Sequence, residues 1–311
     1  MTVSEREPRL QKSGPAADVR SRLMLVILCL IWGMTWPMMK ISLNEIPPLS
    51  MRTMTAAIGG ISLFSICLFK RRSLRISTAR DWAHVFVASF FNISAFSLFT
   101  AFAQILAATS RVAILTYTLP IWTLLLAWLV LGERPSRLQG FAILLCCIGI
   151  AILVAPLATT GIPLGLALAV GGGFSWAAGT VYLKWARING DPMGAAAWQL
   201  AIGFVVITAC LLIFDGGLDL GSAGPGAWLA LIFVGVMGNA VAYAMWFDIV
   251  PVVPTATAAL GILGIPVLGV LSTVLIVGDR LTRADIVGFA FIFAASACVL
   301  LFPHGPKRAT P

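Results

Sequence analysis

Residues 107–137 read AATSRVAILTYTLPIWTLLLAWLVLGERPSR. This is an apolar helical stretch interrupted at Pro120, closed by Leu131-Gly132-Glu133-Arg134 and followed by Ser136 and Gln139. The same plan returns at 253–283, VPTATAALGILGIPVLGVLSTVLIVGDRLTR. A shift of 146 positions carries Pro120 onto Pro266, Gly132 onto Gly278, Glu133 onto Asp279, Arg134 onto Arg280 and Arg137 onto Arg283. Ser136-x-x-Gln139 falls on Thr282-x-x-Asp285. Both have the spacing of a helix capping box, in which a hydroxyl takes a backbone N–H and the later side chain reaches back to the cap. Upstream, a shift of 144 carries Trp32 onto Trp176, Lys40 onto Lys184, Pro48 onto Pro192 and Gly59 onto Gly203. The chain therefore reads as two copies of one unit.

Composition sets the solvent of that unit. The 311 residues are 59% apolar and 11% charged, against about 25% charged in soluble domains. About 20 mainly apolar residues cross the hydrocarbon layer as a helix. Long apolar runs without two-residue alternation exclude a barrel. Ten such segments are expected, at about 23–39, 49–69, 82–103, 110–131, 137–154, 163–184, 193–214, 226–247, 254–277 and 283–302. The fold class is all-α integral membrane. The units are expected at 22–156 and 163–303, with polar cytoplasmic tails at 1–21 and 304–311.

If the N-terminus is cytoplasmic, all but Lys40, Arg52, Arg111, Arg280 and Arg283 of the 21 Lys and Arg fall on the cytoplasmic side. That bias puts both termini inside. It also accounts for the net charge of +9 without nucleic acid, for which no basic soluble domain exists. Five spans per copy is odd, so the second copy enters the membrane inverted. Inverted repeats are the plan of transporters that alternate access about a site between the halves.

All twelve acids fall in tails, turns or first helical turns, and the path is expected to carry no fixed charge. A proton relay on a buried carboxylate has no candidate. The six cysteines lie in apolar segments without CxxC or Cys/His spacing, so neither zinc, a disulfide framework nor another cofactor is expected. Neither His84 nor His304 has a neighbouring nucleophile or ligand, and the chain is not expected to be an enzyme.

Uncharged polar and aromatic side chains remain. Asn92, Phe96 and Thr100 share one helical face, as do Asn239 and Tyr243 beside Trp246, Trp32 and Trp36, and Trp176 and Thr180; Tyr117 stands one turn before Pro120. These stripes either wall a central wet cavity or bond packed helices and sit in interfacial belts. Asn92 and Asn239, in equivalent helices, favour the cavity. Pro37, Pro120 and Pro266 each free a carbonyl and are read as hinge or gate positions, with simple bending as the plainer account.

Ile31-Trp32-Gly33, Pro120, the Leu131-Gly132-Glu133-Arg134 turn and its weaker counterpart Val277-Gly278-Asp279-Arg280 resemble the drug/metabolite transporter superfamily, EamA type, over about 22–303. In overall similarity the chain looks like the YddG-like branch, exporters of aromatic and other neutral amino acids. That resemblance implies a basket of helices around a central cavity. Helices one, three, four, six, eight and nine would line the path, and the fifth and tenth would be peripheral. It implies export of amino acids or related metabolites across the inner membrane by alternating access; without a titratable buried group, facilitated diffusion or exchange is expected rather than strict proton coupling. A monomer suffices, and a dimer is compatible with it. The alternative in the same superfamily is a quaternary-amine exporter using cation–π contacts. The family's small multidrug members use an intramembrane glutamate, which this chain lacks.

Overall fold

A computed structural model describes residues 15–155, 164–221, 223–249 and 255–301. The expected tail at 304–311, most of the one at 1–21 and the segment joining the two copies lie outside the described residues. The first five helices are α1 (Pro15–Leu43), α2 (Pro48–Phe69), α3 (Ala79–Leu106), α4 (Thr109–Leu131) and α5 (Arg137–Val154). They are followed by α6 (Leu164–Ala186), α7 (Pro192–Phe214), α8 (Pro225–Ile249), α9 (Thr255–Ser272, continued by Thr273–Val277) and α10 (Arg283–Leu301). Eight, α1 to α8, contain spans long and apolar enough to cross a membrane, and α9 holds the shorter apolar stretch Leu263–Val277. Exposed Ile61, Leu129, Ile213, Leu229 and Leu275 belong to an apolar exterior suited to lipid tails.

Local chemistry fixes the helix ends in pairs. α2 and α7 both begin on proline, where the missing N–H costs nothing. α4 closes on Gly132 at φ 72° and α9 on Gly278 at φ 79°, the left-handed conformation glycine tolerates best. Past each glycine the next N–H reaches back to the same place, Glu133 to the Ala127 carbonyl at 3.3 Å and Asp279 to that of Thr273 at 3.4 Å. Both expected capping boxes form. Ser136 N–H donates to Gln139 Oε1 at 2.8 Å and Gln139 N–H to Ser136 Oγ at 3.2 Å. Thr282 N–H donates to Asp285 Oδ2 at 2.8 Å and Asp285 N–H to Thr282 Oγ1 at 3.2 Å.

The matched prolines behave differently. At Pro120 the helix breaks at Tyr117-Thr118 and restarts with the proline in its first turn. The Thr118 hydroxyl holds the break by donating to the Leu115 carbonyl at 2.8 Å and accepting the Trp122 indole N–H at 3.1 Å. The corresponding residue in the second copy is Gly264, which has no hydroxyl, and Pro266 sits inside an unbroken helix, as Pro37 does in α1.

The copies interleave rather than sit side by side. α1 packs on α8 and α9 of the other copy, and α6 correspondingly on α3 and α4. α2 packs on α7 and α8, α7 on α3, and α5 on α10. Each pairing is the image of another, or of itself for α2 with α7 and α5 with α10, under exchange of the copies, as a pseudo-two-fold axis requires. Gly59 and Gly203 serve equivalent crossings. A Cβ on Gly59 would come within 2.6 Å of Asn239 Cβ, and one on Gly203 would strike Ile93.

Contacts between loops sort the two faces. Lys70 and Arg72, after α2, meet Asp191 before α7 and Asp248 at the end of α8. At the other face Arg111 pairs with Asp285 at 2.6 Å, Ser110 N–H donates to Asp279 at 2.6 Å, and Gly224 N–H donates to Glu45 at 2.7 Å. This partition is that of helices that each cross once. With five per copy, the two copies run in opposite senses.

Candidate functional site

The site begins with a defect in two equivalent helices. α3 widens into a π-helical segment at Phe90–Ala95 and α8 at Val234–Val241, and Asn92 and Asn239 lie in these wide turns. A π turn misaligns the backbone ladder and leaves carbonyls to other donors. The Phe91 carbonyl accepts from Ser175 Oγ of α6 at 2.7 Å, and the Gly238 carbonyl from the Trp32 indole N–H of α1 at 3.2 Å. Each bond runs from one copy to the other.

Between these segments lies a cavity of about 40 Å³, lined by Arg52, Thr55 and Ala56 of α2, Asn92, Ile93, Phe96 and Ser97 of α3, Trp176 of α6, Leu200 of α7, and Asn239 and Tyr243 of α8. At roughly 10–15 Å³ per ordered water it has room for about three or four. The Asn92 amide donates to Gln199 Oε1 at 3.2 Å, and that of Asn239 to the Thr55 carbonyl at 3.3 Å. Asn92 Oδ1 is buried without a donor and rests against Gly179, which has no side chain to hold it off. An aromatic chain passes along the cavity. Trp246 and Tyr243 each lie 6.0 Å from Trp32, Trp176 lies 6.2 Å from Tyr243, and Phe96 lies 4.8 Å from Trp176.

Of the residues expected from sequence, Asn92, Phe96, Trp176, Asn239 and Tyr243 line this cavity, Trp32 stands behind Tyr243, and Trp246 stands behind Trp32. Thr100 is one turn beyond Phe96 and fully buried. Trp36 and Tyr117 pair with each other elsewhere, ring centres 6.4 Å apart. Thr180 is exposed, its hydroxyl donating to the Trp176 carbonyl at 2.8 Å. Pro120 and Pro266 face each other across a second, apolar cavity of about 10 Å³, with Tyr117, Leu263 and side chains of α10. Pro37 lines neither cavity.

One expectation, the absence of a fixed charge, does not hold at this cavity: Arg52, counted in sequence with the outer loops, is 6% exposed in the first turns of α2 and forms part of its wall. Its guanidinium donates to Thr100 Oγ1 at 2.7 Å and to the Met39 sulfur, and its Nε has no partner. Among the described residues no carboxylate pairs with it. α2 and α7 also line the cavity, beyond the helices the resemblance implied. Among the described residues, no group of three or more His, Cys, Asp or Glu is placed to hold a metal ion.

The model of the EamA-like transporter family matches twice, at residues 20–155 and 163–301. An uncharacterized transporter of Bacillus subtilis, YvbV, is 29% identical over 288 residues, 90% of this chain and 91% of its own. The inner membrane transporter YedA of Escherichia coli, also uncharacterized, is 25% identical and covers 92% and 93%. A probable amino-acid metabolite efflux pump of Escherichia coli is 23% identical, covering 87% and 91%. A solved crystal structure superimposes with a TM-score of 0.63 at 20% identity, over 91% of this chain and 98% of that one.

Proposed function

The chain belongs to the EamA-like transporter family, and from that premise we propose that it exports neutral, chiefly aromatic, amino acids and related small metabolites. It does so across the cell (inner) membrane, with both termini cytoplasmic, by alternating access. The observation that carries this reading is the cavity at the seam of the two copies, walled by Asn92, Asn239, Phe96, Trp176 and Tyr243. Amides suit the polar groups of an amino-acid backbone, and aromatic faces suit its side chain. A cavity of about 40 Å³ is too small for an amino acid, so the helices around it part when substrate enters. The Pro120 break, beside Pro266, supplies a bend at which α4 and α9 can move on α10. The relative named as an efflux pump for amino-acid metabolites supports the substrate class.

Among the described residues no carboxylate or histidine lines the cavity, which supports facilitated diffusion or exchange rather than strict proton coupling. The test is counterflow of labelled L-phenylalanine and L-threonine in liposomes holding the purified protein, with and without a pH gradient. Exchange without a gradient is expected. Competition by quaternary amines and not by amino acids would replace this reading with drug export, and absolute dependence on the gradient would refute the coupling.

A further inference from the structure

A charge at membrane depth is costly and is kept where it pairs or serves a path. Among the described residues Arg52 pairs with no acid. Asp191, Asp248, Asp279 and Asp285 lie at the two faces, each already bonded to other residues. One of its two nitrogen contacts is the thioether of Met39, a weak acceptor that a stronger one would displace. Its Nε–H is buried without a partner, on a side chain that lines the cavity. The donors go on beyond Thr100. Gln104 is fully buried one turn later with both ends of its side-chain amide unpartnered, and Lys40 Nζ donates to the Gln104 backbone carbonyl at 3.0 Å. Cation, donors and cavity without an opposing acid are the complement of an anion. The guanidinium fork matches the two oxygens of a carboxylate.

Resting on the reading of this cavity as the transport site, we propose that Arg52 is its anion subsite. It takes the carboxylate of the transported molecule while the remainder lies against Phe96, Trp176 and Tyr243. The chain then selects carboxylate-bearing metabolites and rejects the corresponding amides and free amines, because these bring an ammonium without the carboxylate that would pair with Arg52.

The experiment is thermal unfolding of the purified full-length protein, titrated with L-phenylalanine, L-phenylalaninamide, 2-phenylethylamine and 3-phenylpropionate, for wild type, Arg52→Gln and Arg52→Lys. Wild type is expected to bind the acids about tenfold or more tighter than the amide and amine, the discrimination a charge-assisted hydrogen bond provides. Arg52→Gln should bring that ratio near one, and Arg52→Lys should restore part of it. A purely structural Arg52 would weaken every ligand alike. Equal binding of acid and amide by wild type, a preference retained by Arg52→Gln, or no response to any carboxylate overturns the subsite. If Arg52→Gln does not fold, the wild-type ratio and Arg52→Lys decide. Response to 3-phenylpropionate but not to phenylalanine would sustain the subsite and sink the amino-acid reading. Phenylalanine and its amide binding alike would do the reverse.

Discussion

Gly179 sits where α6 crosses α3, and a Cβ there would overlap the Asn92 amide, with Cγ at 2.5 Å and Nδ2 at 2.9 Å. Gly179→Ala therefore has to displace Asn92 and break its 3.2 Å bond to Gln199. Overpacking of a close-packed site costs about 1–3 kcal/mol. A hydrogen bond inside a membrane bundle is worth roughly 0.6 kcal/mol. The expected loss is about 2–4 kcal/mol. At an unfolding entropy of about 2.1 cal/mol/K per residue, that lowers the melting temperature by roughly 3–6 °C. The displaced amide also loses its place on the cavity wall, so the KM for substrate should rise. The assay is thermal unfolding of Gly179→Ala, Asn92→Ala and the double variant. With the Asn92 amide gone the new methyl has room, so Gly179→Ala should cost close to nothing in the Asn92→Ala background. An undiminished cost there would refute the contact as its cause.

Asp285, 2% exposed at its side chain, both caps α10 and pairs with Arg111 of the other copy. Asp285→Ala should lower stability by about 3–5 kcal/mol, the range for breaking a buried pair. Asp285→Asn, which can still accept cap bonds, should cost less, and equal losses by thermal unfolding would contradict the ion pair. Gly278→Val places a β-branched side chain at φ 79° and should destabilise by about 1–2 kcal/mol or more. Gly278→Asn should be milder, and no difference between them would contradict the left-handed cap. Trp32→Phe removes the indole N–H that serves the Gly238 carbonyl and should cost about 1 kcal/mol. A neutral result would mean that the π turn in α8 satisfies itself.

What was legible in the sequence was what is local. A capping box needs four residues, and a left-handed helix end needs a glycine at the right place. Ser136/Gln139, Thr282/Asp285, Gly132 and Gly278 could therefore be read in advance, and their spacing exposed the duplication. The cavity was legible on helices that carry a polar or aromatic stripe, α3, α6 and α8. α2 and α7 carry few polar residues, Thr55 and Gln199 among them, and their apolar positions look alike in a lipid solvent, so Ala56 and Leu200 gave no signal. Arg52 did give one, as the single charge within the 49–69 segment. Standing near a helix end it reads as a loop cation. Its burial comes from Met39 and Thr100, brought over it from two other helices. The π segments appear only in the folded chain, where Ser175 and Trp32 of the opposite copy bond to their carbonyls.

The account stands on two copies of one five-helix unit crossing the membrane in opposite senses. Single cysteines at Arg75, on the α2–α3 connection, and at Arg280, on the α9–α10 turn, test this in a background free of the six native cysteines. Each is labelled in intact cells with a membrane-impermeant maleimide. Arg280→Cys should react from outside and Arg75→Cys only after permeabilisation. Reaction of both positions from the same side would contradict the inverted arrangement, and with it the seam on which the cavity lies.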